Sequence, residues 1–101
     1  MTAQDVLAII QKELADGPLE MNLHGLTATA IQTEPYEEPY LSFDMSQVFL
    51  YWTVVEETPD KSGYTVYYDP DQAMFGLGSR TSEGVVDIGT HGSFREAFRG
   101  M

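Results

Sequence analysis

The side chains best suited to chemistry in this chain are two histidines, three acidic pairs and one glycine pair, and each lacks its usual companions. His24 and His91 each precede a glycine. A histidine that activates a nucleophile needs Ser, Thr or Cys within reach and an acid to orient it. The chain has no Cys and no Gly-x-Ser-x-Gly elbow, so both histidines read as turn residues and no catalytic residue is assigned. Asp69-x-Asp71 resembles the opening of a calcium loop. Counted from Asp69, however, the sixth position is Met74 and the twelfth is Arg80, where such a loop needs Gly and Glu. Glu37-Glu38 and Glu56-Glu57 could share a divalent cation only if folding brought the pairs together. Adjacent carboxylates define no coordination geometry by themselves, so no metal and no cofactor is expected.

Gly76-x-Gly78-Ser79-Arg80 has the outline of a phosphate loop without the dinucleotide or Walker spacing, and no long helix follows it. On a strand, two glycines at this spacing face the same side and leave bare backbone for a large aromatic to cover. Tyr67 and Phe94 are the candidates. The six tyrosines are the more informative group. A tyrosine combines large apolar area with a polar end, which suits half-exposed sheet faces and interfaces alike. Set among carboxylates, they nominate Glu34, Tyr36, Glu37, Glu38, Tyr40, Tyr51, Glu56 and Glu57 as partner contacts. An alternative is a small-ligand pocket between sheet and helices, lined by Trp52, Tyr67 and Phe75.

Charge narrows the partner. Asp and Glu number 16 against 5 Lys and Arg, a formal charge of -11. Between Lys12 and Lys61 there is no basic residue, and most of the carboxylates fall there. Such a chain repels nucleic acid and anionic lipid and attracts basic partners. Acidity also confers solubility without any further role. No signal peptide is read at the N-terminus and no apolar run approaches the ~20 residues of a membrane span. The cytoplasm is the default expectation.

The elements that must position these residues follow from periodicity. Val6, Leu7, Ile10 and Leu14 recur every three or four residues, predicting a helix over 2–15 with Thr2 as N-cap and Asp5 completing a short capping box. Gly17 suits a left-handed C-cap and Pro18 ends the helix. Alternation in Met21-Asn22-Leu23-His24 predicts a strand over 20–33, interrupted at Gly25. Pro35 and Pro39 then predict an extended connection over 33–40.

From residue 40 the pattern is that of an antiparallel meander. A short strand over 40–44 leads to the most hydrophobic run, residues 48–55. Val48, Leu50, Trp52 and Val54 point one way there, and Phe49, Tyr51, Thr53 and Val55 the other. Both faces are apolar, predicting a central strand at least partly covered on both sides. Further strands are predicted over 64–68, 73–80 and 85–89, joined by turns over 57–63, 69–72 and 81–84. A short helix over 93–101, capped by Ser93 and Glu96, presents Phe94, Ala97, Phe98 and Met101 on one side.

The expected fold is α+β: one domain spanning 1–101, with an antiparallel sheet of five or six strands, the N-terminal amphipathic helix on one face and the short C-terminal helix completing the core. The function read from the sequence is a small acidic, non-enzymatic protein-binding module. An inhibitor, an immunity-type protein or a mimic of nucleic-acid charge would each fit. The alternatives are the ligand-binding domain above and a homodimer that covers its second sheet face with its own copy. A C-terminal helix this short cannot cover all of that face, so the uncovered remainder is where function is sought.

Overall fold

A computed structural model describes residues 1–58, 60 and 62–101. The element order is α1 (Ala3–Leu14), a 3-10 turn (Ala28–Ala30), β1 (Ile31–Leu41), β2 (Val48–Glu56), β3 (Tyr64–Asp69), β4 (Met74–Thr81), β5 (Gly84–Gly92) and α2 (Phe94–Gly100). The expected α+β fold is thus observed, with five strands. The turn expected over 57–63 includes Pro59 and Lys61, which lie outside the described residues.

Helix α1 starts as its sequence dictates. The Thr2 amide donates to Asp5 Oδ2 at 2.8 Å, and the Asp5 amide donates back to Thr2 Oγ1 at 3.2 Å. Its C-cap is Ala15 in right-handed conformation, so Gly17 is not the left-handed cap. Instead the Gly17 and Pro18 carbonyls accept from the Arg95 guanidinium, tying the end of α1 to α2. Helix α2 borrows from α1 in turn. Its orphan amides at Phe94 and Arg95 donate to the two oxygens of Glu13, at 2.8 and 2.7 Å.

Three further sequence expectations are corrected. The first is the strand over 40–44, of which only Tyr40 and Leu41 lie in a strand, at the end of β1. Residues 20–30 form no strand. The alternation there is real but inverted, because Met21 and Leu23 are exposed while Asn22 is buried. Asn22 Nδ2 donates to the Phe98 carbonyl, and its Oδ1 accepts from the His24 and Leu26 amides, so this polar residue anchors the segment. The expected extended connection over 33–40 is instead part of β1, which pairs with β2 from Tyr36 to Leu41. Pro35 is tolerated because it lies in the register shift between Ile31 and Tyr36, and Pro39 because β1 has a neighbour on one side only until Tyr40. A proline on an edge strand turns its missing N–H to the open side.

Successive strands β1 to β5 pair antiparallel and the sheet closes into a barrel. In an antiparallel meander with an odd number of strands, the first and last run the same way. The closing seam is therefore parallel, and it is short: Tyr40 faces Val85 and Leu41 faces Val86. A barrel this narrow has room inside only for side chains, so both helices lie on its outer face.

Side-chain alternation sorts the core into two compartments. Val6, Ile10, Phe94 and Phe98 of the helices pack with Trp52, Val54, Val66, Tyr68, Phe75 and Leu77 on the outer face. Tyr40, Tyr51, Tyr67 and Val85 cluster in the lumen. Register shifts disturb the order at four places: one in β1 between Ile31 and Tyr36, one near Val54 that sends Val55 to the helix side, and two in β5, with extra residues at Ile88 and His91. The glycine pair serves the lumen. A Cβ on Gly76 would collide with the Tyr67 ring, and one on Gly78 would lie 2.6 Å from Tyr40 Cε2. Tyr67 thus covers Gly76, while Tyr40 rather than Phe94 covers Gly78.

Candidate interaction surface

Alternating strand directions bring three segments to one end of the barrel: the β1–β2 hairpin (42–47), the β3–β4 turn (70–73) and the last half of β5. The hairpin is internally bonded. Asp44 Oδ1 accepts from the Ser42 hydroxyl (2.7 Å), the Ser46 hydroxyl (2.7 Å) and the Ser46 amide (3.0 Å). Ser42 Oγ accepts from the Gln47 amide at 3.0 Å. The two serine hydroxyls hold the exposed Asp44 carboxyl down to about 2, so it stays ionised. Met45 sits at φ 62, left-handed backbone that a methionine rarely adopts.

This turn displays apolar side chains outward. Phe43 is 80% exposed and Met45 49%. Behind them the outer face of the hairpin continues the patch in cross-strand pairs, Leu41 opposite Val48 and Pro39 opposite Leu50, with Glu37 opposite Trp52 at its border. Val48 is 62% and Leu50 57% exposed, so neither helix covers them. Across from the turn, Ser42 and Phe43 share a groove of about 310 Å³ with Asp87, Ile88, Gly89 and Thr90 of β5.

Carboxylates gather around Tyr51 at this end. Burial, followed by the Asp69, Asp87 and Asp71 carboxylates, pushes the Tyr51 hydroxyl up to about 12. Asp69 accepts from the Asp71 and Gln72 amides, and Asp87 accepts from the Tyr67 hydroxyl at 2.7 Å. Of the described basic side chains, Arg80 is near the opposite barrel end, Lys12 is on α1, and Arg95 and Arg99 are on α2, where Asp16 and the Gly17 and Pro18 carbonyls hold the Arg95 guanidinium.

The eight residues nominated from sequence do not form one surface. Glu34 and Glu37 are exposed on β1, and Glu57 accepts from the Tyr64 amide and approaches His24 Nδ1 to 2.7 Å. Tyr40 and Tyr51 are buried in the lumen. Tyr36, Glu38 and Glu56 gather around Arg80: its Nη1 is 2.9 Å from Glu38 Oε1, and its Nη2 contacts Glu56 Oε1. The Tyr36 hydroxyl donates to Glu56 Oε1 at 2.8 Å. Of the alternative pocket residues, Trp52 and Phe75 lie on the outer face and Tyr67 in the lumen, so the sheet separates them. Among the described residues no group of His, Asp or Glu is arranged to hold a metal ion.

Residues the sequence reading did not nominate, Phe43, Met45, Val48, Leu50 and Ile88, are the exposed apolar side chains of this candidate surface. The signal that could have found them is the length of the hydrophobic run against the short helices available to cover it. Among the described residues, no helix is long and apolar enough to cross a membrane. Comparison with protein-family models, with curated proteins and with solved structures finds no match to this chain.

Proposed function

We propose that this chain is a non-catalytic protein-binding module, of inhibitor or immunity type, that engages its partner through the β1–β2 hairpin end. The observation that carries this reading is a pre-organised turn that displays Phe43 and Met45 beside the uncovered Val48 and Leu50. Loops fixed in advance lose little entropy on binding, and large apolar side chains at their tips are the groups that fill a partner's cleft. The rim is acidic and steers a partner with basic groups around that cleft. A pure mimic of nucleic-acid charge would need ordered carboxylates at the contact and no apolar centre, so the apolar tip favours a hydrophobic cleft with a basic border.

The test compares wild type with a Phe43→Ser/Leu50→Ser variant, both verified as folded by circular dichroism. Each is used to capture proteins from the native host at low and at high salt. The wild type is expected to retain a protein that the variant releases, with retention falling as salt rises. Identical retention by both proteins would refute the reading.

A further inference from the structure

We infer that the groove between the hairpin and β5 takes an extended, basic segment of the partner, added as a new strand along residues 87–91. This rests on the protein-binding reading above and names the chemistry of what binds.

The parallel seam ends at Val86, because β1 stops at Leu41 and the chain turns into the hairpin. Beyond that point β5 is paired with β4 alone, and its other edge is open to an added chain. The barrel has a second open edge, on β1 before Tyr40, and it is closed to strand addition by Pro35 and Pro39, which offer no N–H. Residues 87–91 contain neither Pro nor Lys, the residues that commonly blunt an edge. Bulges at Ile88 and His91 do kink this edge, and Asp87 Oδ1 already holds the Gly89 amide at 2.9 Å, so an added strand must pair around these points. The groove beside this edge is walled by Phe43 on one side and by Ile88, the extra residue of a bulge, on the other. A bulge re-aims a side chain, and here Ile88 lines the groove.

Charge decides between occupants. A second copy would bring the same acidic end, on a molecule of charge -11, against this one. With Asp44 on the turn, Asp87 in the groove and Asp69 and Asp71 close to Tyr51, like charges would meet at the junction. A segment alternating Lys or Arg with aliphatic residues places its cations toward these carboxylates and its apolar side chains between Phe43 and Ile88.

The test titrates the isotopically labelled full chain, followed by NMR, with three short synthetic peptides. The first alternates Lys and Val, the second alternates Glu and Val, and the third is the Lys–Val peptide with a central Pro. The Lys–Val peptide is expected to give saturable shifts at the amides of residues 88–91 and at Phe43. The Glu–Val peptide is expected to give none, and the central Pro to weaken binding about tenfold or more. No saturable shift from the Lys–Val peptide, or equal binding of the Pro version, overturns the inference. So do concentration-dependent shifts at 88–91 without peptide, which would mark a second copy. If hairpin-dependent capture persists while the peptides fail, strand addition alone is wrong. If capture does not depend on the hairpin, the underlying reading fails as well.

Discussion

The Tyr40 hydroxyl lies 2.7 Å from the Thr53 hydroxyl, and both side chains are fully buried inside the barrel. Thr65 meets the same tyrosine oxygen at 2.9 Å, so three hydroxyls from three strands satisfy one another without a charge. Tyr40→Phe keeps the ring and removes the shared atom. It is predicted to cost roughly 1–3 kcal/mol, since buried threonine hydroxyls lose a partner. Urea denaturation gives the number. An unchanged midpoint would show that Thr53 and Thr65 satisfy each other without it.

Gly76→Ala is predicted to destabilise by about 1–3 kcal/mol or more, because the new methyl lands on the Tyr67 ring and close to the Gly89 carbonyl. Gly89→Ala is the contrast: no atom would crowd its Cβ, but its φ of 140 is strained for any L side chain. The Gly76 variant is expected to be partly restored by a smaller residue at position 67, and the Gly89 variant is not. Paired thermal melts of the single and double variants distinguish crowding from strain.

Alkali should unfold the protein through its tyrosines. Burial is the largest cause raising the hydroxyls of Tyr36, Tyr40, Tyr51 and Tyr67, with Tyr51 reaching about 12 from an ordinary value of 10.0. A raised folded-state value means that the folded protein holds these protons more tightly than the unfolded chain does. The stabilisation is complete below pH 10.0 and falls away as pH rises toward about 12 and beyond. Tyrosinate absorbance and circular dichroism should therefore change together across this interval. Full ionisation of these tyrosines with the fold intact would contradict the prediction.

Phe98→Ala should cost roughly 3–5 kcal/mol, the range for emptying a buried aromatic site. Phe94 and Phe98 are both almost fully buried, and α2 is too short to persist without that burial. Truncation after Gly92 removes both rings and exposes the outer face beneath them. Its thermal transition should be strongly lowered or lost, and an unchanged melting midpoint would show that the docked helix adds nothing.

Met45→Gly separates binding from folding at the hairpin. Glycine relieves the left-handed conformation at φ 62 and removes only an exposed side chain. Stability is expected to stay within about 1 kcal/mol of wild type or rise slightly, while partner retention falls. A marked loss of stability would assign Met45 a structural role instead.

The residues that were legible in the sequence are those whose neighbours are close in the chain. Thr2 and Asp5 announce α1, and the turns between β3, β4 and β5 announce a meander of short connections. What misled was burial that depends on distant partners. Val48 and Leu50 carry the signature of core strand residues, yet the helices are short and pack on β2 only from Trp52 onward, leaving its first residues bare. Pro35 and Pro39 argue against a strand until it is known that β1 is a partial edge. Met21 and Leu23 look like an inward face, but Asn22 is the anchor, because its amide finds the Phe98 carbonyl at the far end of the chain. The candidate surface escaped for the same reason: exposure of an apolar side chain is a statement about what fails to reach it.

The seam between β1 and β5 has a consequence for how the molecule breathes. Every other pairing joins strands adjacent in the chain, whereas this one joins Tyr40 to Val85 and is only two pairs long. Closing so long a loop forfeits chain entropy before any bond compensates for it. The seam is thus the last part of the barrel to zip and the first to part. Amide exchange at Leu41 and Val86 should outpace exchange at the β3–β4 ladder. A partner strand lying along β5 just past Val86 would extend the ladder at its weakest point, so occupancy of the groove would slow that exchange and fasten the cylinder shut.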